Sequence, residues 1–196
     1  MTQASRANHG ASTRVRILET AIAHFTEHGY EGTPLRAISD ELGVTKAALY
    51  YYFGSKESLL LEIISPALDA VDEILKAVET RPRREGWKRE VIEAYTDVLI
   101  EHLPVVRILA RDMHVAMQPG IAERIDDHQA RLQALLTGDE ADFEERARVF
   151  GAITVVQRSL LGHRGQPLVS EESTSPIPLR QLAICMAMQL LTDRCN

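Results

Sequence analysis

The sequence predicts an all-α protein of about nine helices, a short three-helix unit followed by a longer helical body. Three observations carry this. Apolar residues recur at spacings of three and four along most of the 196 residues. Ala, Leu, Arg and Glu dominate long stretches, aromatics are only 5%, and β-branched runs are few, which disfavours sheet. Pro, Gly and helix-capping Ser or Thr interrupt the periodic stretches at helix-length intervals.

The polar stretch 1–12 has no apolar signal-peptide core and reads as a flexible tail. A first helix is expected from about Thr13 to His28, with Ile17, Leu18, Ala21, Ile22 and Phe25 on one face. Ser12 or Thr13 caps its start and Gly29 ends it. Thr33 then caps a second helix that starts at Pro34, where a missing N–H costs nothing, and buries Leu35, Ile38 and Leu42. Gly43 makes a tight turn, and Thr45 caps a third helix from Lys46 to about Tyr52. Ser55 caps a long fourth helix through Leu59, Ile63, Leu68, Val71 and Leu75, with Pro66 inside it to kink it or interrupt a hydrogen bond. Arg81-Pro82-Arg83-Arg84 breaks that pattern. Helices are expected over about Glu85–His102, Pro104–Met113, Ile121–Leu136, Ala141–His163 and Leu179–Thr192, with a surface loop over Arg164–Pro178.

Two short helices joined through Leu42-Gly43-Val44 fit a helix-turn-helix. Ile38, Leu42, Val44 and Leu49 hold the angle between the helices, and the second helix projects. It starts with the small or polar Thr45, Lys46, Ala47 and Ala48, as an element entering a DNA major groove must. Tyr50, Tyr51 and Tyr52 bring hydroxyls that can reach phosphates, and the helix N-termini at Thr33, Thr45 and Ser55 attract anions. Leu49 and Phe53 are assigned to the core.

Beyond that bare pattern, residues 13–60 resemble the DNA-binding domain of TetR-family transcriptional regulators. The matching stretches are Ile17 to Ala21, Phe25-x-x-x-Gly29-Tyr30-Glu31-Gly32-Thr33, and the continuous run from Leu35 to Leu59. Ala47 stands where the family often has Gly, and Tyr51 where it often has His, departures that bear on which operator is read. The resemblance implies that Thr33, Arg36, Thr45, Lys46, Ala47, Tyr50, Tyr51 and Lys56 face DNA. It also implies that residues 61–196 form an effector-binding and dimerisation domain. The dimer would then use Phe150, Ile153, Val156 and Leu160 with Leu182, Met186, Met188 and Leu190, and a symmetric pair of reading heads suits a pseudo-palindromic operator. Polar effector contacts are sought at Tyr95, His102, Arg107, Arg111, His114, Gln157 and Arg158, and apolar walls at Trp87, Met113 and Met117. Arg107 and Arg111, four apart beside His102 and His114, suggest a cationic end to the cavity, or simple pairing with Glu101 and Asp112.

Net charge is −6, which by itself argues against a polyanionic partner. Residues 1–60 are neutral, with Arg6, Arg14, Arg16, Arg36, Lys46 and Lys56 matched by Glu19, Glu27, Glu31, Asp40, Glu41 and Glu57. The excess acid therefore lies in the body. Cys185 and Cys195, with no metal-ligand spacing, read as reduced thiols of a cytoplasmic protein. No apolar run reaches the roughly 20 residues of a membrane span. His24 and His28 share a helix face but have no third ligand nearby, so no metal and no cofactor is expected. GxSxG, P-loop, GxGxxG and HExxH motifs are absent, so no catalytic residues are assigned. The expected function is a DNA-binding regulator, most simply a repressor released from its operator by a small molecule. A helical enzyme built on the His/Arg cavity and an acidic interaction module are the competing readings.

Overall fold

The computed structural model describes residues 3–137, 141–161 and 179–192. All regular structure among them is helical, in ten helices. They are α1 (Gln3–His28), α2 (Leu35–Leu42), α3 (Lys46–Phe53), α4 (Lys56–Glu79), α5 (Trp87–Glu101), α6 (Leu103–Arg111), α7 (Met113–Ala116), α8 (Ile121–Leu136), α9 (Phe143–Leu161) and α10 (Leu179–Thr192). The expected loop 164–178, Cys195 and the end of the expected helix at His163 lie outside the described residues.

Three boundaries differ from expectation. The first helix is already formed at Gln3, so 3–12 is not a tail in backbone conformation; no proline interrupts it. The second begins one residue late: extended Pro34 is its N-cap, and the Thr33 hydroxyl instead donates to the Gly29 and His24 carbonyls at 2.8 and 3.2 Å. The tenth helix, α7, exists because the Asp112 carboxylate accepts from the His114 and Val115 N–H groups and restarts the chain after α6.

The first four helices bury one face each into a cluster that includes Ile17, Phe25, Ile38, Leu49, Phe53 and Leu60. Gly43 takes φ 65°, and its N–H closes on Asp40 O. That left-handed turn sets the angle between α2 and α3, and a β-carbon there would strain it. Thr45 and Ser55 cap α3 and α4 through bonds from Ala48 N and Ser58 N at 3.1 and 3.0 Å. Glu41 meets His24 at 2.6 Å and fastens α2 to α1.

At 24 residues, α4 spans about 36 Å, long enough to serve both halves of the protein. Its first part, to Leu68, belongs to the first cluster, which Val105, Ile108, Val115 and Ile121 join from α6–α8. Val71 and Leu75 belong to a second cluster with α5 and α8–α10. Pro66 does not end α4; lacking an N–H, it leaves one turn bond unmade, and the Ser65 hydroxyl adds a bond to Leu61 O at 2.7 Å. Charged clamps lock the body. Asp72 on α4 receives Arg124 at 2.6 Å and Arg131 at 3.1 Å from α8, and Asp97 on α5 receives a two-pronged Arg180 from α10. Gly151 faces α10, where a β-carbon would sit in ordinary van der Waals contact with Leu190 Cδ1 at 3.5 Å.

Candidate nucleic-acid interface and effector cavity

The α3 sequence divides cleanly between its two sides. Leu49 and Phe53 point into the core, as expected. Thr45, Lys46, Ala47, Tyr50 and Tyr51 are all exposed, and on a helix of 3.6 residues per turn positions 46, 47, 50 and 51 share one face. Tyr51 is 86% exposed, its ring edge-on to Tyr52 at 5.5 Å, and Tyr50 is 42% exposed. Lys46 Nζ lies 5.6 Å from the Tyr50 ring centre, so its cation stays beside that face. Arg36 on α2 is exposed and weakly paired with Asp40 at 3.3 Å.

Two of the eight expected contact residues are placed differently. Thr33 is buried, with its hydroxyl spent on the His24 carbonyl of α1 and the Gly29 carbonyl of the α1–α2 turn. Lys56 is part-buried: its Nζ donates to Tyr30 O at 2.6 Å and sits 4.2 Å from the Tyr30 ring centre. Both are structural ties within the head. Burial, then the charges of Glu57 and Glu31, pushes the Tyr30 hydroxyl up to about 12.

The body holds a half-open cavity of about 390 Å³ between α4, α5, α6, α7, α8 and α9. Of the ten expected effector contacts, Tyr95, His102, Gln157 and Arg158 line it. The other six do not. Arg111 turns to the reading head and donates to Thr26 O at 2.8 Å, and His114 lies 3.7 Å from Glu31. Met113 and Met117 face solvent, and Arg107 is part-buried off the cavity wall. Trp87 packs beneath Arg83, 5.0 Å from its ring centre, in a separate open cleft of about 590 Å³. The reason is helical phase: Val106, Leu109 and Ala110 are the α6 residues that face the cavity, which sends Arg107 and Arg111 elsewhere. The expected cationic end made by Arg107, Arg111 and His114 is therefore not formed, nor does Arg107 or Arg111 pair with Glu101 or Asp112.

Sequence reasoning missed the α4 wall of Ala67, Leu68 and Val71, and the α8 residues Ile125, His128 and Gln129. His128 was detectable, because it continues the stripe Ile121, Ile125, Leu132 at spacings of three and four. Its ring is buried 3.0 Å from Asp72.

The expected dimer face also changes. Ile153, Val156 and Leu160 are buried within the chain's own second cluster, and Met188 and Leu190 pack against it. Phe150 is 62% exposed and Met186 remains open, while Leu182 is half-buried. Phe143 adds a second exposed ring on α9.

A helix-turn-helix head with an open recognition face, carried on an all-helical body with its own cavity, defines the class as a DNA-binding regulator fold. Residues 17–63 match the profile of the family described as "Bacterial regulatory proteins, tetR family". The chain is 32% identical over 88 residues to the uncharacterized HTH-type transcriptional regulator YuxN of Bacillus subtilis, covering 44% of this chain and 30% of that one. It is 31% identical over 87 residues to the HTH-type transcriptional repressor AcnR of Corynebacterium glutamicum, covering 39% and 45%. These matches span less than half the length of either relative. The crystal structure of the TetR-family regulator PfmR of Thermus thermophilus superposes with a TM-score of 0.66 at 25% identity, over 91% of this chain and 100% of that one. Residues 17–63 thus carry the TetR-family regulatory domain, and the chain as a whole is similar in fold to TetR-family transcriptional regulators.

Proposed function

We propose that the protein is a homodimeric repressor that binds an operator through α3 and leaves it when a small molecule fills the body cavity. The exposed face of Thr45, Lys46, Ala47, Tyr50 and Tyr51 is the observation that carries the reading. It offers one cation, hydroxyls and a small methyl side chain on a rigid projecting helix, a set suited to phosphates and base edges. Thr33 and Lys56 tie the α1–α2 turn to α1 and to α4, respectively, rather than touching DNA.

Release has a physical route. Val106, Leu109 and Ala110 of α6 line the cavity, while Arg111 at the end of α6 and His114 on α7 meet Thr26 and Glu31 of the head. A ligand that favours one position of α6 therefore favours one position of the head, a shift between two states that requires different ligand affinity for each. AcnR is named a transcriptional repressor, which supports repression as the mode. Phe143, Phe150 and Met186 supply the exposed apolar face expected of a dimer contact. The test is a mobility-shift titration on DNA flanking the protein's own gene. Specific retardation supports the reading, and no retardation even at low salt contradicts it.

A further inference from the structure

We propose that the body cavity takes an apolar molecule ending in a carboxylate, a claim that rests on reading this cavity as the effector site. The walls from α4 and α6 are wholly apolar; the polar groups are Tyr95 and His102 at α5, His128 and Gln129 of α8, and Thr154, Gln157 and Arg158 of α9. Between α5 and α9 the Tyr95 oxygen accepts from Gln157 Nε2 at 2.9 Å. A phenol that accepts in this way keeps its own proton to donate to an acceptor in the cavity. Arg158, next along α9, is exposed at the rim and has no ion pair with a carboxylate among the described residues. Among the described residues it is the one permanently charged side chain that lines the cavity.

Charge selects among ligands. No Asp or Glu among the described residues lines the cavity. The acid that reaches its wall through His128 is Asp72, whose oxygens are already held by Arg124 at 2.6 Å and Arg131 at 3.1 Å. An organic cation would lose its water without gaining a counter-charge, beside a guanidinium of its own sign. A neutral apolar molecule would fill the walls but leave Arg158 unused. A carboxylate meets a planar guanidinium through paired hydrogen bonds while its apolar body fills the rest. The volume lies in the range of ordinary small-molecule sites.

The test is calorimetric titration of the full chain with decanoate, 1-decanol and decyltrimethylammonium. Decanoate is expected to bind more tightly than either, by about ten-fold over the cation. Arg158→Met should weaken decanoate by about ten-fold and leave decanol unchanged. Arg158 is exposed, so that variant keeps its fold, and Tyr95→Phe should weaken decanoate as well. Equal or tighter binding of the cation or of decanol overturns the proposal, as does an unchanged decanoate affinity in both variants or no binding by any probe. Decanoate that binds with the expected pattern but leaves the DNA complex intact keeps the ligand class and removes the effector reading instead.

Discussion

Tyr51 and Lys56 lie close together in the chain, and both suit contact with a phosphate, yet the fold gives them different work. Tyr51 is left in solvent, while Lys56 is drawn onto Tyr30 by a carbonyl and a ring face. Tyr51→Phe should therefore weaken operator binding in a mobility-shift titration while the thermal midpoint stays unchanged. Lys56→Met should do the reverse. Losing a charged hydrogen bond and a cation–π contact costs about 1–2 kcal/mol, read as a lower midpoint in thermal unfolding. The departure at Thr33 has a similar cause. Its position before a proline suggests a cap, but the α1–α2 turn brings two carbonyls within reach of its hydroxyl and Pro34 takes the cap position. Such competition for one hydroxyl depends on how the turn packs and is not written in local spacing.

Elements differ in how fully their sequences declare them. The reading head was legible almost residue by residue, because Gly29, Gly43, Thr45 and Ser55 act through local backbone chemistry and Ile17, Ile38, Leu49 and Phe53 through local periodicity. The body gave its helices but not their rotation about their own axes. On α6 that rotation decides everything: it puts Val106 and Leu109 in the cavity and Arg111 against Thr26. Arg111→Met should accordingly leave ligand affinity of the free protein intact and blunt ligand-driven release of DNA, measured by anisotropy of a labelled operator. The α4–α8 clamp was likewise invisible, because its partners are more than fifty positions apart. Burial opposes ionisation of Asp72, but bonds from Arg124 and His128 outweigh it and hold the carboxyl below its ordinary range. A carboxyl depressed in the folded state stabilises the fold at pH above its unfolded value near 4, and that contribution fades as pH falls through the lower folded value. Asp72→Asn should cost about 1–2 kcal/mol at neutral pH, because Arg124 keeps Asp69 and Arg131 keeps Glu79. Urea unfolding at neutral and strongly acidic pH should show the difference between wild type and variant shrink in acid.

At the scale of the whole molecule, the acidic body and neutral head make DNA binding depend on a few well-placed groups rather than on net charge. In the proposed dimer, pairing two heads would compensate for that scarcity, with the exposed α9–α10 face as the proposed contact for a second copy. Phe150→Glu should give a folded monomer in sedimentation, since the ring is already in solvent in one chain. Leu160→Glu should unfold the chain instead, because it buries an unpaired charge in the chain's own core. The central claim is that the outer face of α3 meets DNA, and Lys46 is the side chain that states it most simply. The decisive measurement is operator affinity as a function of salt for wild type and Lys46→Ala, with circular dichroism to confirm equal folding. A phosphate contact at Lys46 predicts weaker binding and a log–log salt slope smaller by about one unit. Identical affinity and identical slope in the folded variant would contradict the account.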